Sequence, residues 1–166
     1  MHSERGYTLV ELLIVVGMIG VASAIALPIF MESNARTGLW TGSERIGATI
    51  RQARLRAIST NTTYRVVFNC PSAGNLRMLI VTGDPAVDDD FVTRCADTVD
   101  GDSGVIEMPD SISYDAADAT ALQVTGRGVF TAIGDAIPLT ISVNYGSAVR
   151  SLAVSNTGQI SFSNVH

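Results

Sequence analysis

Few residues of this 166-residue chain have the types and spacing that chemistry requires. The two histidines, His2 and His166, stand at opposite ends, so no internal imidazole is available for a nucleophilic triad or a zinc site. Glu11 is a single carboxylate beside an apolar run, and the two cysteines, Cys70 and Cys95, both lie well beyond it. We therefore predict a protein that is not an enzyme and that binds no cofactor.

Aspartates gathered between Gly83 and Gly104 are the other candidate ligands. Asp88-Asp89-Asp90 and the set Asp97, Asp100 and Asp102 offer the oxygen atoms that Ca²⁺ prefers. Their spacing does not match an EF-hand loop. We interpret this segment as an acidic loop that faces solvent, and predict no metal site.

The cysteine pair depends on the compartment. If this half of the chain is exported, one Cys70–Cys95 disulfide is expected, which adds on the order of 3 kcal/mol in the loop-entropy model. If it stays in the cytoplasm, two reduced, buried thiols are expected instead.

Charge is divided unevenly along the chain, in which every cation is an arginine. From Tyr7 to Thr60 five arginines stand against three glutamates, for a net charge of +2; from Asn61 onward five arginines stand against twelve acids, for a net charge of −7. An acidic second half lacks the basic footprint that nucleic acid or an anionic lipid surface requires. We therefore expect no nucleic-acid binding.

The apolar run after Glu11 has the length of a membrane helix. Leu12–Phe30 carries no charged side chain, and nineteen residues at 1.5 Å each span about 28 Å, roughly the hydrocarbon thickness of a bilayer. A conventional signal peptide cut near Ala24-Ile25-Ala26 is one interpretation, but Glu11 stands where such signals carry positive charge. A plain signal anchor is a second, although a charge deep in a bilayer costs about 2.5–3.5 kcal/mol.

A third interpretation accounts for the acid. The leader MHSERG, followed by Tyr7-Thr8-Leu9-Val10-Glu11 and the apolar run, resembles the class III signal of type IV pilins and pseudopilins. The resemblance implies that prepilin peptidase cuts after Gly6 and that the new amine of Tyr7, where most members have Phe, is methylated. It also implies that Glu11 of one subunit neutralises the Tyr7 amine of its neighbour and so sets axial register, and that Pro28 kinks the helix.

Beyond Phe30 the helical pattern continues to Thr60 and becomes amphipathic. The apolar positions recur at threes and fours: Leu39, Ile46, Ile50, Ala53, Ala57 and Ile58, with Trp40 beside them. Three glycines, at 38, 42 and 47, weaken this helix by roughly 1 kcal/mol each relative to Ala, so tertiary packing must hold it.

From Asn61 the period changes to two. Strands are predicted in segments 62–69, 76–82, 105–108, 121–125 and 129–132, and a closing antiparallel meander in 139–145, 149–154 and 159–162. The fold class is therefore α+β: a long N-terminal helix, membrane-spanning in its first half and amphipathic in its second, packed on an antiparallel β-rich head. We divide the chain into a leader (1–6), a transmembrane and assembly helix (7–31), an amphipathic continuation (32–60) and a periplasmic head (61–166).

The end of the helix narrows the resemblance. Ala53-Arg54 and Ala57-Ile58, followed by Asn61 and a strand, are similar to FimT- and GspH-type minor pilins. Some relatives bind DNA through arginines near a C-terminal Gly-Arg motif, whereas this chain reads Thr157-Gly158-Gln159 and has no arginine after Arg150.

The resemblance implies a structural minor pilin of a type IV pilus, with a role in filament initiation or at the tip. A minor pseudopilin of type II secretion is the alternative, and a DNA-binding competence pilin is a further one. Pro28 favours the pilus. The implied partners are other pilin subunits, prepilin peptidase and the inner-membrane assembly platform. The implied location is the bacterial inner membrane, crossed once with a periplasmic C-terminal domain, and then the filament.

Overall fold

Helix α1, Leu9–Thr60, passes through both units into which the chain divides, Met1–Arg36 and Thr37–His166. The structure, a computed structural model, describes residues 8–109 and 111–165. The first unit contributes the apolar part of α1. The second unit contains the helix from Thr37 onward together with every described strand.

Within the described residues, nine strands and two short helices follow α1. The strands are β1 Tyr64–Phe68, β2 Asn75–Ile80, β3 Ile106–Glu107, β4 Ser113–Asp115, β5 Ala121–Val124, β6 Phe130–Ile133, β7 Leu139–Tyr145, β8 Ala148–Val154 and β9 Ile160–Val165; the helices are α2 Pro85–Asp88 and α3 Phe91–Ala96. They form a five-stranded sheet, in the order β3-β2-β1-β5-β6, and a four-stranded sheet, in the order β4-β7-β8-β9. All strand pairs are antiparallel, which confirms the α+β prediction.

The five-stranded sheet is covered on both faces. In the β1–β2 register Val66 pairs with Met78, while the next pair along, Val67 with Arg77, points to the opposite side. Val66 and Met78 belong to the main core with the second half of α1. Val67 belongs to a smaller cluster that contains the cysteines. The sheet therefore separates α1 on one face from the disulfide-bonded segment on the other.

The four-stranded sheet closes the same main core. Its buried side chains include Leu139, Ile141 and Val143 from β7 and Leu152 and Val154 from β8, each fully buried. Alternate residues of both strands thus face α1, as expected for a sheet with one solvated face.

Glycine lets α1 approach the strands closely. A Cβ atom at Gly42 would lie 2.9 Å from Ile112 Cγ2 and 3.2 Å from Val143 Cγ1, closer than carbon atoms pack in a protein core. The predicted buried stripe holds from Leu39 to Ala57, but Ile58 is wrong as a core position, since 48% of it is exposed. It lies at the edge of the helix–sheet contact, where the turn between β5 and β6 covers it only in part.

Each predicted strand segment overlaps a strand of the structure, including the closing meander β7-β8-β9. The three-residue β4 and the helices α2 and α3 were missed. The two helices, of four and six residues, are too short for a helical period to emerge, and β4 is fixed by its pairing with β7.

Candidate assembly segment and surfaces of the head

The first turn of α1 is closed by a reciprocal cap. The Thr8 backbone N–H and the Thr8 hydroxyl each lie 3.4 Å from Glu11 Oε2, and the Glu11 N–H lies 3.3 Å from Thr8 Oγ1. This is a capping-box arrangement, in which Thr and Glu three residues apart satisfy amides that have no partner within the helix. The sequence signal for this cap is the Thr-x-x-Glu spacing before an apolar run.

The side chains in the apolar part of α1 are exposed. Its large apolar residues from Leu9 to Met31 are each at least half exposed. By length and composition, this helix is able to cross a membrane. Because an apolar face of this size is costly in water, the segment requires a membrane or a protein partner around it.

The structure describes only some of the predicted processing and assembly residues. Gly6 and Tyr7 lie outside the described residues. Glu11 is exposed in the first turn of α1, and Pro28 lies within the same helix, which continues on both sides of it. Cleavage, methylation, register-setting and the kink stay predictions.

Cys70 and Cys95 form a disulfide that ties the loop after β1 to α3. Both residues are buried, with Val67, Leu79 and Ala121 around them. The predicted pairing is therefore present. It anchors the aspartate-rich residues 83–104, the acidic segment, against the face of the five-stranded sheet opposite α1.

Three arginines from the sheet and α3 hold the same segment in place. Arg65 donates to the Asp88 carbonyl and, at 2.8 Å, to Asp89 Oδ1. The buried Arg77 donates to the Cys95 carbonyl at 2.6 Å. Arg94 binds Asp102 through both guanidinium nitrogens, at 2.7 and 3.0 Å, with both side chains almost wholly buried. Arg65 and Arg94 thus each neutralise one aspartate of this segment, whereas Arg77 binds its backbone.

Two of the aspartates are structural. Burial by itself raises the pKa of Asp102, but hydrogen bonds from Arg94 and from the Val99 and Ile80 amides outweigh it, leaving the pKa below its ordinary value. Burial likewise raises the pKa of Asp88, and bonds from the Thr82 and Gly83 amides and the Thr82 hydroxyl lower it further than burial raises it.

The prediction of a solvated acidic loop is therefore wrong for Asp88 and Asp102. It is correct for Asp90, Asp97 and Asp100, which are exposed. Over residues 8–109 and 111–165, no group of three His, Cys, Asp or Glu side chains is arranged to hold a metal ion.

A cavity of about 300 Å³ lies beside the disulfide, next to Cys95 and Ser103. Its charged lining residues are Arg77 and Asp102, and both are engaged in the contacts that hold the segment. The arrangement offers packing and hydrogen bonding rather than a reactive group.

A hydroxyl links the two sheets. Tyr114 Oη in β4 accepts from the Asn69 amide at 2.7 Å and donates to the Asn75 carbonyl at 2.6 Å. Desolvation raises the pKa of Tyr114 to about 12, and the bond from Asn69 lowers it only in part. The phenol therefore stays neutral and serves as a fixed connector.

Arginines with few acidic partners lie along α1 and the strands next to it. Arg51 pairs with Glu44 at 3.2 Å on the surface. Arg150 donates to Ser43 Oγ at 2.9 Å, and its guanidinium lies 4.8 Å from the centre of the Phe162 ring. Arg54 and Arg127 form no ion pair with any residue in the described part of the chain. The helix side of the head thus carries cations that the acidic segment does not neutralise.

The N-terminal part of the chain is similar in sequence to known proteins. Residues 1–27 match the prokaryotic N-terminal methylation motif. A fimbrial protein of Pseudomonas aeruginosa is 40% identical over 48 residues, which cover 29% of this chain and 31% of that protein. A type IV major alpha-pilin of Moraxella bovis is 39% identical over 57 residues, covering 33% of this chain and 36% of that one. The chain therefore covers about a third of the length of these curated relatives.

A solved structure matches a larger share of the chain. The crystal structure of the type IV minor pilin FimU of Pseudomonas aeruginosa superposes with a TM-score of 0.55, covering 77% of this chain and 90% of that one at 14% identity. At this identity the match shows a shared fold. The chain is type IV pilin-like in its N-terminal sequence and has the pilin fold.

Proposed function

We propose that this chain is a structural minor pilin of a type IV pilus, acting in filament initiation or at the tip. The observation that carries the proposal is the combination of a methylation motif over residues 1–27 with an open apolar helix and a pilin-type head. An apolar helix that leads into a folded head suits a subunit that waits in a membrane and then packs against its neighbours.

The proposed route begins in the inner membrane, which the chain crosses once with its head in the periplasm. The disulfide supports this location, because such bonds persist in oxidising compartments. Prepilin peptidase then cuts after Gly6 and the Tyr7 amine is methylated. The assembly platform brings the helix alongside those of other pilin subunits, where Glu11 neutralises a neighbour's Tyr7 amine.

The cap at Thr8 allows the two roles of Glu11 to be separated. Glu11→Gln keeps a side-chain oxygen that can accept the Thr8 amide, but it removes the negative charge. Thr8→Ala removes the capping hydroxyl and keeps the charge. If charge sets the register, Glu11→Gln enters the membrane and is cut normally but is lost from sheared filaments, whereas Thr8→Ala is retained.

Intact mass of the membrane and filament fractions measures both steps. A methylated N-terminus at Tyr7 and recovery of the chain in filaments are the expected results. A start near Leu27 would show that the helix had been removed as an ordinary signal, and the proposal would fail. Recovery only with a secretion apparatus would assign the chain to type II secretion instead.

A further inference from the structure

Arg77 of β2 is a buried cation whose hydrogen-bond partners are all uncharged. It is 4% exposed, and it donates to the Cys95 carbonyl at 2.6 Å. Its longer contacts, at 3.3 to 3.5 Å, reach the Asp97 and Ser103 carbonyls and the Thr98 hydroxyl. No residue in the described part of the chain forms an ion pair with it. Because a buried charge without a counterion is costly, this guanidinium is left with unused binding capacity.

The neighbouring cations on the same face of the sheet are paired. Arg65 binds Asp89, and Arg94 binds Asp102. Both carboxylate oxygens of Asp102 are already held by Arg94 and by two backbone amides. The Nε atom of Arg77, in contrast, is buried without a hydrogen-bond partner among the residues that the structure describes. One positive charge is thus left over at this place in the fold.

Arg77 lines the cavity beside the disulfide. The cavity volume of about 300 Å³ is at the lower end of the range for small-molecule sites. Ala96, Thr98 and Val105 also line the cavity and are exposed, so it is open to solvent on their side. The lining therefore combines an unpaired guanidinium and a hydroxyl with apolar side chains, which is the composition of a site for a small amphipathic ligand.

We propose that this cavity binds a small monocarboxylate, with the carboxylate on Arg77 and a short apolar group against Ala96 and Val105. A guanidinium matches a carboxylate in both charge and geometry, and the Thr98 hydroxyl is able to donate to the same group. The exposed Asp97 nearby disfavours a second negative charge on the ligand. A singly charged carboxylate therefore fits better than a phosphate.

A bound carboxylate also stabilises the acidic segment. Arg77 contacts both Cys95 and Ser103, which lie on opposite sides of the turn at Gly101. A ligand that supplies the missing counterion and binds only the folded state raises the stability of the head. This binding is independent of the proposed function, since a head outside a filament keeps the same cavity.

Isovalerate is the probe, and isovaleramide, which has nearly the same shape without the charge, is its control. The side-chain Nε–H resonances of the full-length protein in detergent micelles report the contact, at an ionic strength held constant with sodium chloride. The Arg77 resonance is identified by its loss in Arg77→Lys. We expect isovalerate to shift that resonance in a saturable way and to raise the Tm of the head. Isovaleramide should bind about ten-fold or more weakly, because it cannot pair with the cation.

Ala96→Phe blocks the cavity and leaves Arg77 unchanged. Ala96 is exposed, so the larger side chain is accommodated without repacking the core. Ala86→Phe is the matched control, at an exposed alanine of α2 that does not line the cavity. Ala96→Phe should weaken isovalerate binding by about ten-fold or more, and Ala86→Phe should leave it unchanged. Thr98→Val should weaken it a few-fold, since it removes one donor and keeps the shape.

Four results would overturn the carboxylate site: an equal response to isovalerate and isovaleramide, an equal response in Ala96→Phe and Ala86→Phe, no saturable shift, or phosphate binding as tightly as isovalerate. Each of them leaves the proposed function standing, because no filament enters the measurement. N-acetyl-glycyl-valine places the isovalerate group at the end of a peptide. Tighter binding of this peptide supports the C-terminus of a partner protein as the source of the carboxylate, and weaker binding supports a free carboxylate.

Discussion

Replacing Arg94 by methionine tests whether the buried ion pair holds the disulfide-bonded segment. Arg94 is 3% exposed, and its bidentate contact with Asp102 leaves that carboxylate with no exposed side-chain surface. Methionine fills much of the same volume without the charge. Asp102 then keeps the Ile80 and Val99 amides, at 2.8 and 2.9 Å, but loses its cation.

Removal of one partner from a buried pair costs about 3–5 kcal/mol, because the remaining charge is left uncompensated. The two remaining amide bonds place the expected loss toward the lower end of that range. Arg51→Met is the matched control: its pair with Glu44 is longer, at 3.2 Å, and its side chain is 49% exposed. Exposed pairs of this kind contribute about 0–1 kcal/mol.

Calorimetry of the full-length protein in detergent micelles measures the difference. The Tm of the head is expected to fall by roughly 10 °C or more for Arg94→Met and by a few degrees at most for Arg51→Met. Adding Asp102→Asn to Arg94→Met should recover part of the loss, since it removes the stranded charge. Equal Tm values for the two single variants, or a double variant less stable than Arg94→Met, would refute the reasoning.

Three further predictions concern Gly42, Tyr114 and Asp102. Gly42→Ala should destabilise the head by about 1–3 kcal/mol, because the new methyl meets Ile112 at 2.9 Å; Gly104→Ala, with no atom within 4 Å, is the control, and equal effects would contradict the packing argument. Tyr114→Phe leaves the Asn69 amide without its partner, while the Asn75 carbonyl keeps the Cys70 amide, and should cost about 1 kcal/mol in denaturant unfolding; an unchanged midpoint would show that the hydroxyl contributes nothing. The folded-state pKa of Asp102 lies below its ordinary value of 3.8, so its contribution to stability is complete above that value and is lost as pH falls through the lowered pKa. Asp102→Asn should therefore show a shallower fall in Tm from about pH 5 to pH 2, and a parallel fall would count against this assignment.

Local pattern determined much of this protein. The charge-free run Leu12–Phe30 defined the apolar half of α1, because nineteen such residues allow few structures. Period-two alternation located β7, β8 and β9, since one face of their sheet is buried and the other is not. The position of the two cysteines allowed a single pairing, which the fold contains.

Only the tertiary structure decided the rest. Asp88 and Asp102 look like their exposed neighbours in the sequence, yet each is buried, because backbone amides and, for Asp102, an arginine from α3 converge on it. In the sequence Gly42 appears only to weaken α1, whereas in the fold its missing side chain leaves room for Ile112. Burial, charge partners and close approach depend on which residues the fold brings together, and no local period of the sequence records that.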